Sequence, residues 1–151
     1  SIMASNNIDV PCNGYPEQNL ALKEIFGTIG STGTVKDLEN ARCALVVNSN
    51  ITEENNVAAI PLKKGHKAGT LKLIVIDTRE VELTRYADVW LRPFPGTESS
   101  LMAGILSAVV NNSLHDEEFL RKNCEGWGDF QRQISNYDHT CIFRFLPGLY
   151  P

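Results

Sequence analysis

The sequence predicts an α/β fold, a Rossmann-like three-layer domain in which a small parallel sheet carries helices on both faces, and three observations lead there. Ala44-Leu45-Val46-Val47 is a continuous apolar run, as expected of a parallel strand covered on both sides. Leu71-Lys72-Leu73-Ile74-Val75-Ile76-Asp77 repeats that pattern after a helix-forming segment from Glu53 to Ala68, so strand, helix and strand make a βαβ unit with a parallel pair. Each run gives way to small polar or charged residues, on the edge where open parallel sheets bind ligands.

The remaining elements can be read in chain order. Residues 1–16 hold Asn6-Asn7, Pro11, Asn13-Gly14 and Pro16, a density of turn formers that predicts an irregular arm. Residues 17–137 then form the α/β domain. Asn19 to Phe26 has apolar residues at helical spacing and stops at Gly27. Thr34-Val35-Lys36-Asp37 has N-cap spacing and opens a short helix to about Asn40. Within the segment from Glu53 to Ala68, Val57, Ala58, Ile60 and Leu62 can face a sheet, and Pro61 is expected to interrupt it. Arg79 to Tyr86 reads as a short helical segment, and Asp88-Val89-Trp90-Leu91 as a third strand ended by Pro93 and Pro95. Thr97 to Asn112 carries Leu101, Ile105, Ala108 and Val109 on one stripe, the clearest helix in the chain. Asp116 and Asp129 are candidate N-caps of two more helices, ending near Asn123 and Tyr137, and residues 138–151 form an apolar tail without a clear period.

Composition narrows the function. A chain of 151 residues fits one domain, and its 42% apolar content suffices for a core. The net charge is -4 and the basic residues are scattered, which gives no footprint for nucleic acid or an anionic membrane. Cys12, Cys43, Cys124 and Cys141 lie far apart with no C-x-x-C pair, so they predict neither a zinc site nor a cluster but free thiols in a reducing compartment. His66, His115 and His139 lack the spacing of a triad or metal site. The apolar runs fall short of the ~20 residues a membrane span needs, and the expected location is cytoplasmic. The opening Ser1-Ile2-Met3-Ala4 suits a domain of a longer chain.

Three loops at the strand ends carry the candidate site. Ser49, Asn50 and Thr52 either cap the helix after the first strand or hydrogen-bond a phosphate there, although no glycine-rich dinucleotide or Walker pattern is present. Asp77 ends the second strand, where a carboxylate can accept hydrogen bonds from ribose hydroxyls or cap the next helical segment. Arg79 can reach a phosphate, stack on a base, or pair with Glu82. Glu98 sits at a helix start, either complementing its dipole or accepting from the Watson-Crick edge of guanine.

Several motifs in register carry a resemblance. Leu45-Val46-Val47-Asn48-Ser49-Asn50-Ile51-Thr52-Glu53, Ile74-Val75-Ile76-Asp77-Thr78-Arg79, Ala87-Asp88-Val89-Trp90-Leu91, Pro95-Gly96-Thr97-Glu98 and Leu114-His115-Asp116-Glu117-Glu118-Phe119 resemble the molybdopterin oxidoreductases, and within them most of all the catalytic (alpha) subunit of formate dehydrogenases. The match runs from about Asn6 to Tyr137. The resemblance implies one α/β domain of a larger multidomain subunit, holding a guanine dinucleotide arm of a bis-molybdopterin guanine dinucleotide cofactor with molybdenum or tungsten. It implies that Asn48, Ser49, Asn50, Thr52 and Glu53 meet phosphates, that Asp77, Thr78 and Arg79 meet the ribose and neighbouring groups, and that Gly96, Thr97 and Glu98 meet guanine. It also implies an iron-sulfur cluster outside this segment, the remaining domains of the subunit and electron-transfer subunits as partners.

The sequence departs from the family pattern at named places. Asn48 stands for a usual Gly, Asn55-Asn56 for His-Pro, Thr78 for Pro and Glu98 for Asp. Tyr15-Pro16 falls where formate dehydrogenases carry a metal-binding Cys or selenocysteine with His next to it, and Cys12 is the nearest thiol. No catalytic or metal-ligating residue is therefore expected within the chain. The alternative is a noncatalytic structural or nucleotide-binding module, either a degenerate domain like that of the NADH-quinone oxidoreductase large subunit or one like the central domain of thiamine-diphosphate enzymes.

Overall fold

The computed structural model describes residues 16–29 and 33–137, in two units divided after Thr34. The expected arm up to Tyr15 and the tail, with Cys12, His139 and Cys141, lie outside the described residues, whereas Pro16, expected in the arm, is helical. In the first unit α1 spans Pro16–Phe26, beginning before Asn19 because proline suits the first position of a helix. Its end is where the sequence places it: the Gly27 N–H donates to the Lys23 carbonyl at 2.9 Å.

The second unit begins with α2 (Val35–Glu39) and β1 (Cys43–Val47). Next come α3 (Ile51–Glu54), α4 (Asn56–Lys67) and β2 (Lys72–Ile76). A 3-10 helix over Glu82–Tyr86 leads into β3 (Val89–Leu91). The helices α5 (Glu98–Asn111), α6 (Glu117–Asn123) and α7 (Trp127–Ser135) complete it. The sheet has the order β1-β2-β3, both pairs parallel, with Leu45 opposite Ile74 and Ile74 opposite Val89.

Alternation along the strands sorts the core into two layers. Val46, Leu73 and Val75 face one way and cluster with Leu62 of α4 and with Val81 and Leu83 around the 3-10 helix. Ile76 faces the other way and meets Leu101 of α5, with Leu91, Met102 and Ile105 beside it. The sheet thus carries helices on both faces, as the continuous apolar runs predict. β1 departs from the expectation of cover on both sides: its Leu45 and Val47, like Val89 of β3, remain exposed on the α5 side. Gly65 sets how closely α4 approaches β2: a Cβ there would sit 3.0 Å from the Leu71 Cβ.

Two boundaries differ from expectation. The helix after β1 breaks at Asn55, not at Pro61, which is buried inside α4. Asn55 leaves helical geometry at φ -150° and its Oδ1 accepts the Ala58 N–H at 3.2 Å, capping a new helix. Proline at position 61 only removes a donor to the Val57 carbonyl, near the helix start, where Val57 is exposed to water. The last helix starts at Trp127 behind Gly126 in left-handed geometry, so Asp129 lies in its first turn and does not cap it. Asp116 does cap α6, accepting the Phe119 N–H at 2.9 Å.

Asp88 fastens the amino edge of the sheet. Its Oδ2 accepts the Leu73 N–H at 2.8 Å, its Oδ1 accepts from Lys72 at 2.9 Å, and its own N–H donates to the Leu73 carbonyl at 2.8 Å. The Leu73 N–H first, then Lys72, lowers its pKa from 3.8 to about 2. A carboxylate with a depressed folded pKa stabilises above its unfolded value, and that contribution is lost as pH falls from 3.8 toward 2. Urea titrations of Asp88→Asn should therefore show a flatter acid limb of stability in that window than the starting protein; identical limbs would contradict the assignment. Burial sets a second expectation. Leu73 is 0% exposed and Leu45 46% exposed, so Leu73→Ala should cost about 2 to 5 kcal/mol and Leu45→Ala less than about 1 kcal/mol. Equal losses in chemical denaturation would mean that the α5 side of β1 is covered.

Candidate functional site

The carboxyl ends of the three strands are joined by hydrogen bonds between neighbouring loops. Asn48 N–H donates to the Ile76 carbonyl at 2.8 Å, and Asp77 N–H donates to the Leu91 carbonyl at 3.2 Å. The Trp90 indole Nε1 donates to the Asp77 carbonyl at 3.0 Å, and the Arg92 Nε donates to the Thr78 carbonyl at 3.1 Å. The loop after β2 is therefore held between the loops after β1 and β3.

The first loop is self-contained. Asn48 adopts φ 47°, left-handed geometry that asparagine tolerates better than most residues. The Ser49 hydroxyl donates to Glu54 Oε2 at 2.9 Å and the Thr52 hydroxyl to Asn50 Oδ1 at 2.9 Å. Asn50 is the N-cap of α3 by position, but its side chain receives that hydroxyl and makes no cap bond to the backbone. With α3 only four residues long and the N-terminus of α4 capped by Asn55, the dipole expected to greet a phosphate is short, and Glu53 and Glu54 stand beside it.

The second loop is different. Asp77 is 2% exposed, and its Oδ1 accepts the Arg79 N–H at 2.8 Å. Its Oδ2 is buried, with no hydrogen-bond partner among the described residues. A buried carboxylate oxygen left unsatisfied costs free energy unless something donates to it. Arg79 is 76% exposed, with its Nε 3.9 Å from Asp77 Oδ1, and is not paired with Glu82, which bonds Lys63 at 2.6 Å. Thr78 is half-buried, its carbonyl taken by Arg92.

The third loop turns at Gly96, whose φ of 84° lies where glycine is favoured. The Thr97 hydroxyl donates back to the Phe94 carbonyl at 2.6 Å, which leaves the first turn of α5 without a side-chain cap. Glu98 opens α5 half-buried, and no cation pairs with it among the described residues.

Sequence reasoning puts Arg92 at the start of the third loop on this edge but gives neither Arg92 nor Trp90 a role in the site. Two positions apart in extended chain, they fall on the same side, and the Arg92 guanidinium lies 5.6 Å from the Trp90 ring centroid. That alternation was the available signal. Concavities of 470 Å³ (Lys63, Lys64, His66, Lys67, Tyr86) and 310 Å³ (with Glu39, Ile60 and Thr70 among its lining) flank α4 instead. His66 lies 3.3 Å from Asp88, which places the larger one toward the opposite, amino edge of the sheet. Among the described residues no three His, Cys, Asp or Glu side chains gather as metal ligands, and no helix is long and apolar enough to cross a membrane.

These features define an open parallel α/β unit with its polar loops gathered on the carboxyl edge of the sheet. Comparison with known proteins supplies the family. The model for molybdopterin oxidoreductase matches residues 5–143, and the chain belongs to that family. It is 28% identical over 138 residues to the F420-dependent formate dehydrogenase 1 subunit alpha of Methanococcus maripaludis, covering 91% of this chain and 20% of that protein. It is 29% identical over 139 residues to a putative formate dehydrogenase of Bacillus subtilis, covering 90% and 14%. Among solved structures, acetylene hydratase from Pelobacter acetylenicus superposes with a TM-score of 0.63 at 28% identity, over 72% of this chain and 15% of that one. The chain thus spans a fifth or less of the length of these relatives.

Proposed function

We propose that residues 17–137 are a cofactor-holding domain of a formate-dehydrogenase-like oxidoreductase, and that the carboxyl edge of the sheet holds the guanine dinucleotide part of a bis-molybdopterin guanine dinucleotide cofactor with molybdenum or tungsten. The observation that carries the reading is the buried Oδ2 of Asp77 at the end of β2, which has no partner among the described residues. An ionised carboxylate only accepts hydrogen bonds, so the group that fits it is a donor, such as a ribose hydroxyl. Glu98 is a second acceptor, without a cation among the described residues, suited to the adjacent N–H donors of guanine. The cofactor supplies the two-electron redox chemistry in this reading, and this domain's residues bind and orient its nucleotide end.

The family and the formate dehydrogenase relatives support the wider setting. The parent subunit contributes its other domains, an iron-sulfur cluster outside this chain and electron-transfer subunits as partners, and works in the cytoplasm. Formate dehydrogenase and acetylene hydratase name different substrates, so the reading concerns the holding of cofactor and leaves the substrate to other domains. One observation favours the alternative, a structural module like the degenerate domain of a quinone oxidoreductase: the Ser49 and Thr52 hydroxyls are turned inward to Glu54 and Asn50.

Calorimetric titration with GDP separates the two. Asp77→Asn, which keeps an oxygen for the Arg79 N–H, and Glu98→Ala should each weaken GDP binding roughly tenfold or more while leaving the unfolding midpoint near that of the starting protein. GDP affinities unchanged in both variants would remove the site, and the structural module would stand.

A further inference from the structure

Asp77 and Arg92 differ in what they can receive. Asp77 Oδ2 only accepts, and a guanidinium only donates. We propose that Arg92 is the phosphate-binding residue of this edge, the anion counterpart of Asp77 in a site for a nucleoside diphosphate; the proposal rests on the nucleotide reading above and adds the group that holds the pyrophosphate.

Three observations support it. Arg92 is exposed, yet held at two points, by its Nε on the Thr78 carbonyl at 3.1 Å and by its guanidinium over Trp90. Its remaining N–H groups, like those of Arg42 ahead of β1, have no carboxylate among the described residues, whereas Arg79, Arg85, Arg121 and Arg132 each have one. Trp90 and Thr78, which hold it, belong to the same hydrogen-bonded frame as Asp77, through the Trp90 indole on the Asp77 carbonyl. A planar cation fixed in place by a ring and a carbonyl loses less freedom on meeting an oxyanion than a loose side chain would. Arg79, the residue that the sequence suggests for phosphate, is largely exposed and turned toward Asp77 instead.

The test is calorimetric titration of the full chain with GDP, guanosine and inorganic pyrophosphate, for the starting protein, Arg92→Gln and Arg92→Lys. Arg92→Gln should weaken GDP and pyrophosphate about tenfold or more and leave guanosine unchanged, with Arg92→Lys between the two. Unchanged affinity of Arg92→Gln for GDP and pyrophosphate would overturn the proposal and leave the guanine site in place. An equal loss for GDP and guanosine would also overturn it, because Arg92 would then only brace the Thr78 loop. Binding of guanosine without GDP or pyrophosphate by the starting protein would overturn the phosphate role while keeping Asp77 as a nucleoside acceptor. Binding of none of the three would overturn both this proposal and the nucleotide reading.

Discussion

Burial of β2 on both faces is the constraint on which the rest of this domain depends. Leu73 and Val75 are covered from the α4 side and Ile76 from the α5 side, all without exposure. A strand buried on both faces needs both its neighbours, and β1 and β3 supply the hydrogen bonds that its backbone cannot take from water. Fixing β2 also fixes where it stops. Asp88 secures the amino edge against Leu73, and the chain leaves the carboxyl edge at Asp77, still inside the protein. The position of the candidate site is thus a consequence of how the core is covered.

At that edge the polar groups are unequally satisfied. The hydroxyls of the first loop are bonded within the loop, and the third loop uses Thr97 to close its own turn. The second loop keeps an acceptor with no donor among the described residues, framed by a tryptophan and two arginines. The chemical weight of the edge therefore falls on the β2 and β3 loops, and the β1 loop gives shape more than charge. Asn48 in left-handed geometry allows β1 to turn away while its N–H still bonds Ile76.

Much of this was legible before any coordinates. The continuous apolar runs mark β1 and β2 because such runs have few other uses in a domain of this size, and several loop motifs in register point to the molybdopterin oxidoreductases, the family to which the chain belongs. Asp77 stands out as a carboxylate at the end of an apolar strand, although only packing shows that one oxygen lacks a donor. What stayed hidden depends on context. Pro61 is a helix breaker by type, but the break falls at Asn55, whose side chain replaces the missing backbone partner. Asp129 has the chemistry of a cap, yet Gly126 supplies the turn. Arg92 reads only as the opening residue of the third loop until the parallel register brings β3 alongside β2 and sets it against Thr78.

The central question is whether the carboxyl edge takes a guanine nucleotide. The measurement that asks this most directly is an amide and indole NMR titration of the chain with GDP and, separately, ADP, carried to millimolar ligand. A guanine cradle predicts shifts at the Trp90 indole N–H, the Arg79 amide and the Glu98 amide at lower GDP than ADP concentration, with the Leu73 and Asp88 amides at the opposite edge unmoved. Shifts of equal size and midpoint with both nucleotides, or shifts confined to Leu73 and Asp88, would contradict it.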